Sequence, residues 1–468
     1  FFILLVPNHI AAVSAAIICL VVFLVLALRD LDNTRALQYH ELLLEINEQE
    51  LAALEGHIEN FEDGAKFTPH YHDYALDLDI FGPHSIYQFL NRTTAAPSRE
   101  LLAERLLGPL DTDRIAPIQD AVRELAGEVD WRQQLQARGR LARITREAYR
   151  QIGEWSSEQE EPTAERRALV WITRVLPFIT LALIILAWND VVPWRILWLS
   201  FCAHLLVTWR VEKITAPLYQ GFSDAIKVME TFNGALRTMT EKTFDAALLQ
   251  QIQRGCFQGT QAPAVTFRRL KRILGRMDLR LNALVHFPLN LATFWDWHQF
   301  TQLGRWKRNN PGTLLKWLDA FREMEVLSCF ANAAFNHPRW AFAEITESGD
   351  FVFNAEALGH PLLREDHRVS NDLQMEGKGR ILLVTGSNMA GKSTFLRTVG
   401  VNMVLALAGG PACAEKMTFS RVNVISSMRI ADNLEENIST FYAELKKLEI
   451  ILKKVRAHEP VFLVLDEI

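Results

Sequence analysis

The chain has 468 residues, a formal net charge of −5 and five cysteines, Cys19, Cys202, Cys256, Cys329 and Cys413, with no C-x-x-C pair. That length allows two to four domains, and the near balance of charge gives no argument for or against a nucleic-acid partner. The odd, scattered cysteines argue against a disulfide framework or a zinc site and suit a reducing compartment. The chain starts at Phe1 and stops at Ile468 inside a motif, so it is expected to be a piece of a longer protein.

Ile10 to Leu28 is nineteen residues without a charge. As a helix it spans about 28 Å, close to the roughly 30 Å hydrocarbon core of a bilayer. Phe1 to Pro7 reads as the end of an earlier span, and Pro7-Asn8-His9 as the turn between the two. Arg29 and Arg35 follow the stretch, which puts its C-terminal side in the cytoplasm. Leu37 to Phe61 reads as a helix. Leu37, Leu44, Leu51 and Ile58 stand seven apart, with polar His40 and Asn47 between them, as in a coiled-coil seam or the packed face of an amphipathic helix.

The segment from Tyr74 to Arg123 is mixed. Ala75 to Gly82 alternates. Helices are expected at Ile86 to Leu90, at Arg99 to Leu107 and at Ile115 to Leu125, the last with Pro117 in its first turn. Leu169 to Trp209 is a second membrane-like region. Asn189 to Pro193 divides it into two stretches of span length, each with one arginine near an end, Arg174 and Arg195. Trp171 and Trp209 sit at one end of this hairpin and Trp188 and Trp194 at the other, like two aromatic belts. Arg166, Arg167, Arg210 and Lys213 flank it, so both flanks read as cytoplasmic.

Pro217 to Ala333 reads as mainly helical. Phe267 to Arg276 is its most basic stretch, a solvated helix face or a phosphate contact. Trp295, Trp297 and Trp306 suit helix packing. From Phe351 short apolar runs alternate with Gly, Asp and Asn, as on entering an α/β domain. Val422 to Ile425 is strand-like. A helix starting near Ser439 places Phe441, Leu445, Leu448, Leu452 and Val455 on one apolar face, and Pro460 ends it.

Within this C-terminal part, Ile381 to Val384 reads as a buried strand that enters a loop of the form G-x-x-x-x-G-K-[ST]. The loop comprises Gly386, Ser387, Asn388, Met389, Ala390, Gly391, Lys392, Ser393 and Thr394, and a helix follows it. Glycines let backbone N–H groups turn toward phosphates, and the helix N-terminus adds partial positive charge. Lys392 is placed for the outer phosphates of ATP, and the Ser393 hydroxyl for Mg²⁺. Val461 to Leu465 is a second apolar strand, expected beside the first. It ends in Asp466, for the Mg²⁺ shell, and Glu467, for orienting or deprotonating the attacking water.

The run Thr385 to Thr394 resembles the phosphate loop of the MutS family of mismatch-repair ATPases. Ser439-Thr440-Phe441 with Glu444 resembles that family's signature, which the resemblance places against the nucleotide of a partner subunit. Leu465 to Ile468 is similar to its second acidic motif, His360-Pro361 to the start of its ATPase domain, and Leu90 to Thr93 to a segment of its lever domain. Ser387 stands where the family usually has Pro, and Ser98 where Gly is usual. Phe321-Arg-Glu323 and Phe342-Ala-Glu344 have the spelling of the family's Phe-x-Glu mismatch wedge but lie elsewhere in the chain.

The expected fold is a multi-domain α plus α/β protein. Transmembrane segments occupy 1–30 and an amphipathic linker 31–67. A lever domain at 68–165 and 212–345 is split by a transmembrane hairpin at 166–211. A P-loop ATPase domain of ABC-like type, incomplete at its C-terminus, fills 346–468. The resemblance implies a dimeric ATPase that moves its lever helices on DNA, with Ser439 acting in trans. The apolar spans add that it is a membrane-anchored, multi-pass protein of the inner or plasma membrane, and they leave a protein or transport substrate as the alternative to DNA. The ATPase domain faces the cytoplasm in either case, and the piece alone is expected to be inactive.

Overall fold

The computed structural model describes residues 9–157, 163–220, 223–257, 263–277, 283–347, 349–387, 390–428 and 440–466. The main core is built around one helix, Thr313–Asn336, which has no Gly or Pro inside it and starts at Gly312 with φ +65°. Its apolar residues are so dense that it is buried on most sides, including Trp317, Phe321, Met324, Leu327 and Phe330. Among the helices that pack on it, Ala96–Leu107, Thr112–Ala126, Arg146–Ser157 and Ala247–Cys256 do so most extensively.

In chain order the helices are α1 (His9–Leu54), α2 (Ile86–Leu90), α3 (Ala96–Leu107), α4 (Thr112–Ala126), α5 (Val129–Ala142), α6 (Arg146–Ser157), α7 (Ala164–Trp188), α8 (Trp194–Gln220), α9 (Ser223–Glu241), α10 (Ala247–Cys256), α11 (Pro263–Met277), α12 (Ala283–Thr293), α13 (Trp295–Asn309), α14 (Thr313–Asn336), α15 (Lys392–Leu407) and α16 (Thr440–Arg456). The protein is thus mainly helical and multi-domain, with small sheets near its C-terminal end. A long-range cap joins two of the core helices. Ala95 precedes α3 and has no side chain to satisfy its amides. Glu325 of α14 does so instead, accepting from Thr94 N at 2.9 Å and Ala95 N at 3.2 Å. Burial pushes the Glu325 carboxyl up.

The two N-terminal segments expected to be separate are one continuous helix. Nothing in residues 29–36 breaks it, since that stretch has neither Gly nor Pro. It ends at Leu54, before Gly56 with φ +97°, rather than at Phe61. The leucine heptad does not pack: Leu37, Leu44 and Leu51 are 59–64 % exposed. The docked side is a different stripe containing Ile46, Gln49 and Glu50. Glu50 pairs with Arg92 and accepts from Asn332 Nδ2 at 3.0 Å, and Arg140 donates to Gln49 at 2.6 Å. These polar ties select the face that the apolar pattern alone misassigns.

Helices α7 and α8 pair as the expected hairpin, but only α7 is long and apolar enough to cross a membrane among the described residues. Helix α8 carries Arg195, His204, Arg210 and Lys213, which lower its apolarity. The hairpin is polar inside and apolar outside. Thr180 Oγ1 lies 2.6 Å from Ser200 Oγ and 3.2 Å from His204 Nδ1 between the helices. Trp171, Phe178, Trp188, Trp198, Leu199 and Leu206 point outward. Leu169 and Val211, near the hairpin's open end, form a small core with Phe294 and Trp297 at the start of α13.

Among the described residues the strands form two sheets. β1 (Glu344–Thr346), β2 (Val352–Leu358), β3 (Asn371–Glu376) and β4 (Lys416–Ser420) align in the order β1-β4-β2-β3. β1 runs parallel to β4, while β2 is antiparallel to both β4 and β3. β5 (Asn423–Ser427) and β6 (Val461–Leu465) form a parallel pair, with Ser427 opposite Leu465. Ala75 to Asp79, in the alternating run, is a turn rather than a strand.

Candidate nucleotide site

The loop from Thr385 leads directly into α15. Gly391 occupies the cap position with φ +82°, a left-handed backbone that a side chain would strain. Gly386 leaves its side of the loop wall without a side chain: a Cβ there would lie 3.5 Å from the Ala390 Cβ and 4.0 Å from the Lys392 stem. Lys392 curls back over this wall and donates to the carbonyls of Gly386 (2.8 Å) and Ser387 (3.3 Å). The ammonium is thus held at the open N-terminus of a sixteen-residue helix, by acceptors that a phosphate oxygen can replace. Ser393 is half-buried in the first turn, and Thr394 is exposed beside it.

Asp466 stands at the tip of β6, its N–H bonded to the Ser427 carbonyl at 3.0 Å. Helix α15 packs against β5 and β6, which puts the loop helix and the acidic tip in one unit. This bare loop wall, a lysine on exchangeable acceptors, a hydroxyl at the helix start and a carboxylate at the strand tip suit a Mg²⁺–nucleotide. Asn388, Met389, Ser439 and Glu467 lie outside the described residues.

Two expectations fail here. Ile381 to Val384 is neither buried nor a strand: Ile381 is 91 % exposed and Leu383 80 %. β6, expected as its neighbour, pairs with β5, and no described strand offers this segment a ladder. On the apolar face of α16, Leu448, Leu452 and Val455 are each about half exposed. The docked face is Lys447, Ile451 and Lys454. Ion pairs set that rotation.

Those pairs reveal a junction that the motifs did not mark. Asp77 is 2 % exposed and accepts from Lys447 Nζ at 2.6 Å and from Ser426 Oγ of β5 at 2.8 Å. The Asp73 carboxylate pairs with Lys454, and its carbonyl takes the Ser426 N–H at 2.9 Å. Asp79 pairs with Arg397 of α15 at 3.3 Å. One seven-residue segment of the helical part, Asp73 to Asp79, therefore holds three elements around the nucleotide loop. The signal in the sequence is the spacing Asp73, Asp77, Asp79 within an apolar run. Asn402 was also missed. It is fully buried, donates to Gly359 O (2.9 Å) and Thr398 O (2.8 Å), and accepts from Cys413 N (2.6 Å), tying α15 to the turn before His360-Pro361. An asparagine inside the apolar run of α15 is its trace. The Phe-x-Glu spellings are structural: Phe321 is core, Glu323 pairs with Arg105 at 2.9 Å, and Phe342 lies under Arg123.

Residues 382–468 match the family description MutS domain V. A DNA mismatch repair protein MutS of Chlorobaculum tepidum is 35% identical over 157 residues, 32% of this chain and 17% of the relative. One of Chlorobium phaeobacteroides is 38% identical over 148 residues, covering 30% and 17%. DNA mismatch repair protein MSH4 of Arabidopsis thaliana is 32% identical over 151 residues, covering 31% and 18%. The likeness to these mismatch repair proteins covers about a third of this chain. The matched stretch spans less than a fifth of each MutS relative named here.

Proposed function

We propose that the chain is the membrane-anchored, ATP-binding part of a MutS-type ATPase that works as a dimer on DNA. The observation that carries this is Lys392, held over a bare glycine loop at the start of α15 within the stretch that matches MutS domain V. The N–H groups of the loop and of the first turn of α15 bind the phosphates, and Lys392 exchanges the Gly386 and Ser387 carbonyls for their oxygens. Ser393 and Asp466 would hold Mg²⁺, which would supply positive charge beside the phosphates. Glu467 orients the attacking water, and Ser439 of a second copy closes the site. The Asp73–Asp77–Asp79 turn passes nucleotide-dependent shifts of α15, β5 and α16 to the helical core.

The anchoring reading is supported by the inverted hairpin, polar between its helices and apolar outside. The same hairpin favours a second reading, a membrane machine acting on a protein or transport substrate. The test is ATP turnover by the full-length protein in lipid with no DNA, perfect duplex, mismatched duplex and branched duplex. Stimulation by DNA that is lost in Lys392→Ala supports the first reading. Turnover indifferent to every DNA supports the second, and no turnover at all overturns both.

A further inference from the structure

Helix α11 presents a face of unusual charge. Arg268, Arg269, Lys271, Arg272 and Arg276 are all exposed, and α11 contains no acidic residue. Among the described residues no carboxylate pairs with any of the five. Four of them, Arg268, Arg269, Arg272 and Arg276, fall within about 100° of arc and about 12 Å along the axis. The opposite side of α11 is apolar and buried, with Phe267, Leu270, Ile273 and Leu274 packed toward α9 and α13. The helix is therefore fixed in rotation, and its basic side cannot turn inward.

Its location gives that face a partner. The indole N–H of Trp295 donates to the Arg276 carbonyl at 3.0 Å. Trp295 opens α13, and its neighbours Phe294 and Trp297 share a core with Leu169 and Val211 of the hairpin. The C-terminal end of α11 is thus tied through Trp295 to the helix that packs on the open end of the hairpin, where Leu169 and Val211 each lie two residues from the outward-facing Trp171 and Trp209. Phe287 of α12, a helix that packs against both hairpin helices, is 64 % exposed. Apolar walls beside an unpaired basic face match a leaflet boundary, with acyl chains next to anionic headgroups.

We infer that the α11 face rests on the anionic headgroups of the leaflet that receives the hairpin. The inference depends on the membrane reading above. Each cation near such a surface strengthens association about fivefold, and the effect fades within a Debye length of about 8 Å at physiological salt. The face therefore orients the helical core against the surface, a constraint that the apolar hairpin alone does not impose.

The test uses the full chain in liposomes, with exposed Cys19 and Cys202 replaced by Ser and a fluorophore at Gly275→Cys. Gly275 lies on the basic side, and nothing stands within 4 Å of a Cβ there. A second labelled variant, Phe178→Cys, reports the outer side of the hairpin. With nitroxide on the lipid headgroup, the Gly275→Cys probe is expected to be quenched several-fold more in phosphatidylcholine mixed with phosphatidylglycerol than in phosphatidylcholine alone. The difference should vanish in a variant with Arg268, Arg269, Arg272 and Arg276 all changed to Gln. Equal quenching in both lipids, with Phe178→Cys still quenched by acyl-chain nitroxide, overturns the inference and leaves the membrane reading standing. An unquenched Phe178→Cys probe overturns both. Stronger shielding of Gly275→Cys by duplex DNA than by anionic lipid assigns the face to nucleic acid and overturns the inference.

Discussion

Replacing Asp77 by Ala should loosen the junction between the helical core and the nucleotide loop. Asp77 is 2 % exposed, and its partner Lys447 keeps 17 % of its side chain exposed. Removing one member of a buried pair costs about 3–5 kcal/mol, mostly through the charge left behind. The low end applies here, because Lys447 can swing its ammonium toward water and Ser426 Oγ already approaches the Asp73 carbonyl at 3.5 Å. A cost of about 3 kcal/mol raises the open population of the junction roughly hundredfold. The reporter is the Ser426 amide, which bonds across the junction to Asp73 O. Its hydrogen exchange in Asp77→Ala should be about a hundred times faster than in the parent protein. Asp77→Ala with Lys447→Met should recover most of the protection, because no stranded charge remains. Unchanged exchange in the single variant, or a double variant no better than the single, would refute this account.

Three further outcomes follow from the same geometry. Lys392→Ala should weaken binding of a fluorescent ATP analogue between about tenfold and a hundredfold, the worth of a charge-assisted bond. Unaltered affinity by titration would remove Lys392 from the site. Gly409→Ala meets two penalties: φ is +84°, and a Cβ would sit 2.4 Å from Ile118 Cγ2. Together they should cost about 2–4 kcal/mol in denaturant unfolding, and Ile118→Ala should relieve only the steric share. His337 and His360 are pushed down to about 4, chiefly by burial and then by Arg368 and Arg397 respectively. Above the ordinary imidazole value both states are neutral. As pH falls below it, the unfolded chain takes protons that the fold refuses, so stability drops until about pH 4 and then levels off. At about one unit below that ordinary value the loss is about 1.4 kcal/mol per histidine, and His360→Gln should reduce the pH slope in denaturant titrations by that one histidine's share.

The parts legible in the sequence were those set by local chemistry. Gly391 at a left-handed cap and Lys392 at the start of a helix follow from loop residues acting within one turn. Val422 to Ile425 and Val461 to Leu465 reveal themselves as strands by β-branched runs. What failed was the facing of elements. The leucine spacing of α1 and the apolar stripe of α16 both suggest packed seams. In each helix the docked face is instead chosen by charged side chains, Glu50 in one and Lys447 with Lys454 in the other. Their partners Arg92, Asp77 and Asp73 are far away in sequence, and no periodicity can show them. Ile381 to Val384 fails for a related reason: a strand is defined by its neighbours as well as by its own residues.

Helix α1 has a mechanical consequence. It is unbroken for 46 residues, apolar at one end and bound near the other through Glu50 to Arg92, Asn332 and Asn336. From Leu28 to Glu50 it forms a stiff arm of about 33 Å. With the apolar end held in a bilayer, a tilt of about 10° in the core would sweep that end sideways by about 6 Å, more than one helical pitch. Lateral pressure in the lipid would then act with the same moment arm on the residues that grip Glu50. Membrane tension and the tilt of the core would then be two readings of the same contact at Glu50.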